Sequence, residues 1–132
     1  MDVVRVIAVI PTYNELDNLE RLVDSIRNLE GGIHILVVDD NSPDGTGKLA
    51  ADLSLRHPGE VFVLQRESKE GLGRAYLAAF QYVLKNFDYD VIIQMDCDFS
   101  HDPAYIPEFL KAIEHADLAL DQDQDAAEPV LD

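Results

Sequence analysis

Two aspartates flank Cys97 in the string QMDCDFSHDP. If the chain stays extended there, side chains at i and i+2 project to one side, and Asp96 and Asp98 bring two carboxylates together. Adjacent carboxylates repel unless a proton or cation intervenes, and a hard divalent ion with oxygen ligands relieves the repulsion. Mg²⁺ takes one or two carboxylates together with substrate phosphate and water, so the pair suits a metal held against a phosphorylated ligand. The plainer alternative is that short acids ending a strand only turn the chain. Cys97 itself makes a poor thiolate nucleophile, because flanking carboxylates raise its pKa. Asp102 stands before Pro103, the pattern of an N-cap followed by proline at the first helical position, and its role reads as structural.

Three other polar clusters invite chemistry. Asp39 and Asp40 precede Asn41-Ser42-Pro43-Asp44-Gly45-Thr46, which is turn chemistry. An acid at such a place either supports the turn or accepts hydrogen bonds from a nucleobase or ribose. In PTYNE, Glu15 suits either the first turn of a helix or a ligand, and Tyr13 suits either packing or stacking on a base. Gly71-Leu72-Gly73-Arg74-Ala75-Tyr76 is a near miss to the dinucleotide fingerprint, with Tyr76 in place of the third glycine. Its glycines still permit close backbone approach, and a helix N-terminus offers N–H donors to an anion. Arg66, Lys69 and Arg74 surround it, a local basic group that suits a diphosphate or merely a solvated loop. His34, His57, His101 and His115 show no ligand spacing, and no nucleophile elbow or P-loop is present.

These clusters gain weight from the elements that carry them. Residues 3–10 read VVRVIAVI, a strand buried on both faces, with Pro11 expected to end it. Leu16, Leu19, Leu22, Val23, Ile26 and Leu29 recur at helical spacing up to Gly31-Gly32. The alternation continues with apolar strands at 33–38, 61–64 and 91–95. Helical stripes run through Leu49–Leu53, through Leu72–Val83 with Tyr76 among its apolar positions, and through Ile106–Ile113. This order means βαβ units and a parallel sheet of about four strands with right-handed crossovers. Ligands in such sheets bind beyond the carboxyl ends of the strands, where the chain order reverses. The segments that follow the four strands are PTYNE, DDNSPDGT, QRESKEGLG and DCDFSHDP. Nearly all the unusual polar chemistry therefore falls on one edge.

Composition narrows the partners. The 132 residues carry 26 acids and 10 bases, a formal net charge of -16, which disfavours nucleic acid because phosphate binding needs clustered Lys and Arg. Cys97 is the one cysteine, so no intrachain disulfide forms. No stretch reaches the ~20 apolar residues of a spanning helix, and the start of the chain lacks a secretory pattern. A cytoplasmic chain is expected, with room for a peripheral position at the cytosolic face of a membrane.

Taken together and in order, IPTYNE, VVDDNSPDGT, GLGRAY and QMDCDFSHDP resemble the dolichol-phosphate mannosyltransferases, polyprenol-phosphate sugar synthases of glycosyltransferase family 2. The resemblance spans residues 3–118. It implies the N-terminal half of a GT-A (Rossmann-like) nucleotide-diphospho-sugar transferase fold, over residues 1–118. It also implies inverting transfer of mannose from GDP-mannose to a polyprenol phosphate with Mg²⁺ or Mn²⁺. Matching positions would place Pro11, Tyr13 and Glu15 on the nucleoside and Asp40 on the base. The metal and diphosphate would fall to Asp96 and Asp98, with Ser100 placed to complete the metal shell. Asp39, Lys69, Gly71, Gly73 and Arg74 complete the expected donor-binding set.

The resemblance fades after Ala116-Asp117-Leu118, where family members continue into further helices and arginines. Residues 119–132 are acidic and low in complexity, and are expected to be a disordered tail. On this reading the acceptor side is missing, so donor binding is expected with little turnover, and a membrane-anchored partner chain has a place. The competing reading is a non-catalytic nucleotide- or metal-binding remnant of such an enzyme. A receiver-like signalling domain fits less well, because neither acidic pair follows the first strand.

Overall fold

The computed structural model describes residues 4–100, 102–114 and 129–131. Elements alternate as β1 (Val6–Thr12), α1 (Leu19–Arg27), β2 (His34–Asp39), α2 (Thr46–Arg56), β3 (Val61–Gln65), α3 (Leu72–Asn86), β4 (Val91–Gln94), α4 (Tyr105–Glu114) and β5 (Pro129–Leu131). The sheet order is β3-β2-β1-β4-β5. The first four strands are parallel, and β5 joins the edge antiparallel to β4. The chain steps outward from β1 to β3, then returns to the other side of β1 as β4. The reversal of order therefore lies between the carboxyl ends of β1 and β4.

Strand alternation divides the core into two clusters. Val6, Ala8 and Ile10 face α1, α2 and α4 through Leu19, Leu22, Ile26, Leu53 and Ile106. Ile7 and Val9 face α3, whose Ala75, Ala79 and Val83 recur every four residues along one side. All seven residues of β1 are buried, as the unbroken apolar run requires of a central parallel strand. Each fully buried Leu or Ile contributes about 1.5–3 kcal/mol, so α1 is held by its four-residue stripe rather than by its own propensity.

Two expectations need correction. Pro11 does not end β1: it pairs with Val38, and the strand runs on to Thr12. Along a strand the backbone polar groups of alternate residues face the same neighbour. The Val9 carbonyl accepts from Met95 on the β4 side, so Pro11 also faces β4. The β1–β4 ladder stops at Val9 and Gln94, so the missing N–H interrupts no bond. The second correction concerns the expected tail. Most of residues 119–132 lie outside the described residues, as do His101 and His115, but Pro129–Leu131 pair with Val91–Ile93 as an edge strand. An edge is where a strand tolerates proline. At the other boundary, Asp102 does cap: its carboxylate accepts the Ala104 N–H at 3.0 Å, although α4 begins only at Tyr105.

Candidate active site

The loop after β1 is held in place by the loop after β2. Ser42 Oγ accepts the Asn14 N–H at 2.9 Å, Thr46 Oγ1 accepts the Glu15 N–H at 3.0 Å, and Asp44 Oδ2 accepts the Leu16 N–H at 3.2 Å. The NSPDGT turn thus clips PTYNE and aims Tyr13 and Glu15. Asn14 and Asn41 take the turn with φ of 57°, a region asparagine tolerates.

Asp39 is the pin beneath that clip. It is almost fully buried, and its carboxylate accepts from Thr12 Oγ1 at 2.8 Å, from Ser42 Oγ at 2.6 Å and from the Ser42 N–H at 3.0 Å. Gly47 lets α2 pass close by, since a Cβ there would stand 2.9 Å from Asp39 Oδ2. Asp40 faces the other way, into a cleft. Arg66 Nη1 donates to its carboxylate at 3.1 Å while Nη2 reaches Glu70 at 2.8 Å. Burial raises the Asp40 pKa, and Arg66 opposes that shift.

The cleft, about 270 Å³, opens where β1 and β4 diverge. Pro11, Tyr13 and Glu15 form one wall, and Asp96, Cys97 and Asp98 form the opposite one. Asp40, Lys69 and Gly71 close the third side, together with Thr12, Leu72 and Ala75. Lys69 Nζ lies 4.3 Å from the centre of the Tyr13 ring, so a cation stands over an aromatic face at the cleft wall. Gly71 has φ of 101° and starts α3, bringing the first turn of that helix against the cleft. No acid lies in that turn, so its exposed N–H groups favour an anion.

The acidic wall differs in detail from the extended segment expected. β4 ends at Gln94, and Cys97 and Asp98 already turn, with Phe99 at φ of 58°. Both carboxylates still reach the cleft wall. Asp96 is half-buried and accepts a hydrogen bond from Tyr76 Oη at 2.8 Å. Asp98 is exposed and accepts the Ser100 N–H at 2.9 Å. Burial, joined by the charges of Glu15, Asp98 and Asp96, pushes the Cys97 thiol up to about 12. Cys97 should therefore resist iodoacetamide at pH 8 in the folded chain and react once the chain is unfolded; rapid labelling of the native form, read by mass spectrometry, would contradict this.

Of the residues singled out in the sequence, Pro11, Tyr13, Glu15, Asp40, Lys69, Gly71, Asp96 and Asp98 share the cleft. Asp39 is spent on Thr12 and Ser42, Gly73 and Arg74 are exposed outside the cleft walls, and Ser100 stands beside Asp98. Arg66 serves Asp40 and Glu70. The helical spacing of α3 accounts for Tyr76 only as part of an apolar stripe. A half-buried tyrosine needs a partner for its hydroxyl, and that need was the available clue.

The donor set fits a hard divalent ion: two carboxylates on one cleft wall, next to an anion-favouring helix terminus. Among the described residues no group of three or more His, Cys, Asp or Glu would hold a metal by itself. An ion at Asp96 and Asp98 would thus take further oxygens from phosphate and water.

Fold and cleft together define a GT-A nucleotide-diphospho-sugar transferase domain, with the cleft at the reversal point of a parallel sheet. The chain belongs to glycosyl transferase family 2, whose sequence model matches residues 7–124. It is 48% identical over 117 residues to the polyprenol monophosphomannose synthase of Mycolicibacterium smegmatis, covering 88% of this chain and 44% of that protein. It is 40% identical over 119 residues to the dolichol-phosphate mannosyltransferase of Pyrococcus furiosus, covering 88% of this chain and 32% of that protein. The chain thus spans less than half the length of these relatives. Among solved structures, the mannosyltransferase PcManGT of Pyrobaculum calidifontis, in complex with GDP-Man and Mn²⁺, shares the fold. It aligns with a TM-score of 0.63 at 24% identity, over 71% of this chain and 27% of that one.

Proposed function

We propose that the cleft binds GDP-mannose with Mg²⁺ or Mn²⁺, in the service of mannosyl transfer to a polyprenol phosphate. The observation that carries this reading is the meeting of Asp96 and Asp98 with the start of α3 at the β1–β4 reversal point. The names of the relatives support the mannosyl and polyprenol assignments.

In this reading Tyr13 and Pro11 flank the nucleoside, and the buried Asp40 accepts from N–H groups of the base. Glu15 lies on the same wall and serves the ribose side. The first turn of α3 and Lys69 receive the diphosphate, and Gly71 allows the phosphate to approach the backbone. Arg74 and Gly73, just outside the cleft walls, extend that anion-facing surface. Asp96 and Asp98 would hold the metal, with Ser100 beside Asp98 as a further candidate for its shell. When bound, the metal would stabilise negative charge on the departing nucleoside diphosphate. The acceptor phosphate is largely ionised near neutral pH, so attack needs little general-base help. The chain's task is then to orient the donor for displacement with inversion.

Among the described residues no helix is long and apolar enough to cross a membrane. Donor binding without turnover is the second reading, since the residues lining the cleft are accounted for by the donor and its metal. Calorimetric titration with GDP-mannose and Mn²⁺ tests the donor site, and saturable heat that depends on Mn²⁺ is expected. Absence of heat sinks the proposal. Transfer of labelled mannose to a polyprenol phosphate then separates a working transferase from a donor-binding domain.

A further inference from the structure

We propose that Tyr76 is a positioning residue that fixes the Asp96 carboxylate for metal binding, linking the anion-facing end of α3 to the loop after β4. The inference rests on the donor-site reading above. Tyr76 lies on α3 five positions after Gly71, near the end of the helix that opens onto the cleft. Its ring stacks on Phe80, with centroids 6.1 Å apart and planes at 27°, and packs against the core cluster on the α3 side of the sheet. The ring is thereby held, and its hydroxyl donates to Asp96 Oδ1 at 2.8 Å.

Asp96 needs such a support. It lies two positions after Gln94, the last residue of β4, just past the Met95 N–H that donates to the Val9 carbonyl and just before the turn at Cys97, so no strand pairing holds it. A donor on one carboxylate oxygen sets its side-chain rotation and leaves the second oxygen for a ligand in the cleft. Partners that orient a metal-binding carboxylate in this way are commonly worth 10–100-fold in metal affinity. The same helix faces the diphosphate with its first turn and holds a metal ligand with Tyr76. The spacing between anion and cation is thus fixed by one rigid element.

Tyr76→Phe keeps the ring and removes only the donor. Mn²⁺ uptake in the presence of GDP, followed by loss of the free-ion paramagnetic resonance signal, is expected to weaken about tenfold. Melting temperature and GDP binding in EDTA should stay at wild-type values. In an Asp96→Asn background, Tyr76→Phe should add no further loss, since its effect runs through the Asp96 carboxylate. If the wild type takes up no Mn²⁺, the donor-site reading fails and this proposal falls with it. If the wild type does and Tyr76→Phe matches it, only the positioning role is overturned. A parallel loss of GDP binding in EDTA, a large fall in melting temperature, or an undiminished loss in the Asp96→Asn background would also overturn it.

Discussion

Replacing Asp96 and Asp98 together by alanine is expected to remove Mn²⁺-dependent GDP-mannose binding, with affinity falling at least about a hundredfold. That corresponds to roughly 2.7 kcal/mol, a moderate figure for losing both anionic ligands of a divalent ion facing a diphosphate. The two side chains sit where their loss spares the core: Asp98 is exposed and Asp96 only half-buried. The fold should therefore persist, and melting temperature in the absence of metal is the control. Loss of the acceptor for the Tyr76 hydroxyl should lower that temperature by a few degrees, and relief of carboxylate repulsion offsets part of the loss. Equal calorimetric heats for the wild type and the double variant would remove the metal from the argument altogether.

Asp39→Ala is expected to act in the opposite way, on stability first and on binding only as a consequence. The substitution strips the acceptor from Thr12 Oγ1, Ser42 Oγ and the Ser42 N–H in a site that is closed to water on the Thr12 side. Buried donors left without partners cost about 1–3 kcal/mol each. The Thr12 hydroxyl can fall back on the Val38 carbonyl, 3.4 Å away, so a total of about 3 kcal/mol is expected. For a domain of this size that is roughly a 10 °C drop in melting temperature. Circular dichroism melting checks it, and a shift under about 2 °C would show that Asp39 is not the pin described above.

These two aspartate sites show how far residue types alone could be read. The parallel α/β order was legible because β1, β2 and β4 are near-continuous apolar runs and α1 and α3 carry stripes at helical spacing. From that order the position of the cleft followed, since loops after parallel strands share one edge. The division of labour within Asp39-Asp40 was not legible. Successive strand-end residues point to opposite sides, and which one faces the cleft depends on register with β1 and on the path of α2 past Gly47. Pro11 was misread for a related reason: its cost depends on which neighbour its missing N–H would face, a property of the ladder and not of the residue. For Arg66 the basic cluster leaves a diphosphate contact and a solvated loop both open, and in three dimensions Asp40 and Glu70 claim it. Local pattern located the polar loops, and long-range pairing decided which of their side chains line the cleft.

The reversal of strand order also governs when the cleft can come into being. Its two facing walls are the segments after β1 and after β4, and these become neighbours only when Val6–Val9 pair with Val91–Gln94. During synthesis the first wall emerges early and waits for the whole β2–α3 stretch to follow. Pairing over such a separation closes a long loop, which makes it entropically slow. A ligand that bridges the walls binds only the state in which that loop has closed, and so shifts the folding equilibrium by its own mass action. Donor and metal would then act on the nascent domain as well as on the finished one, selecting chains in which the first and fourth strands have met.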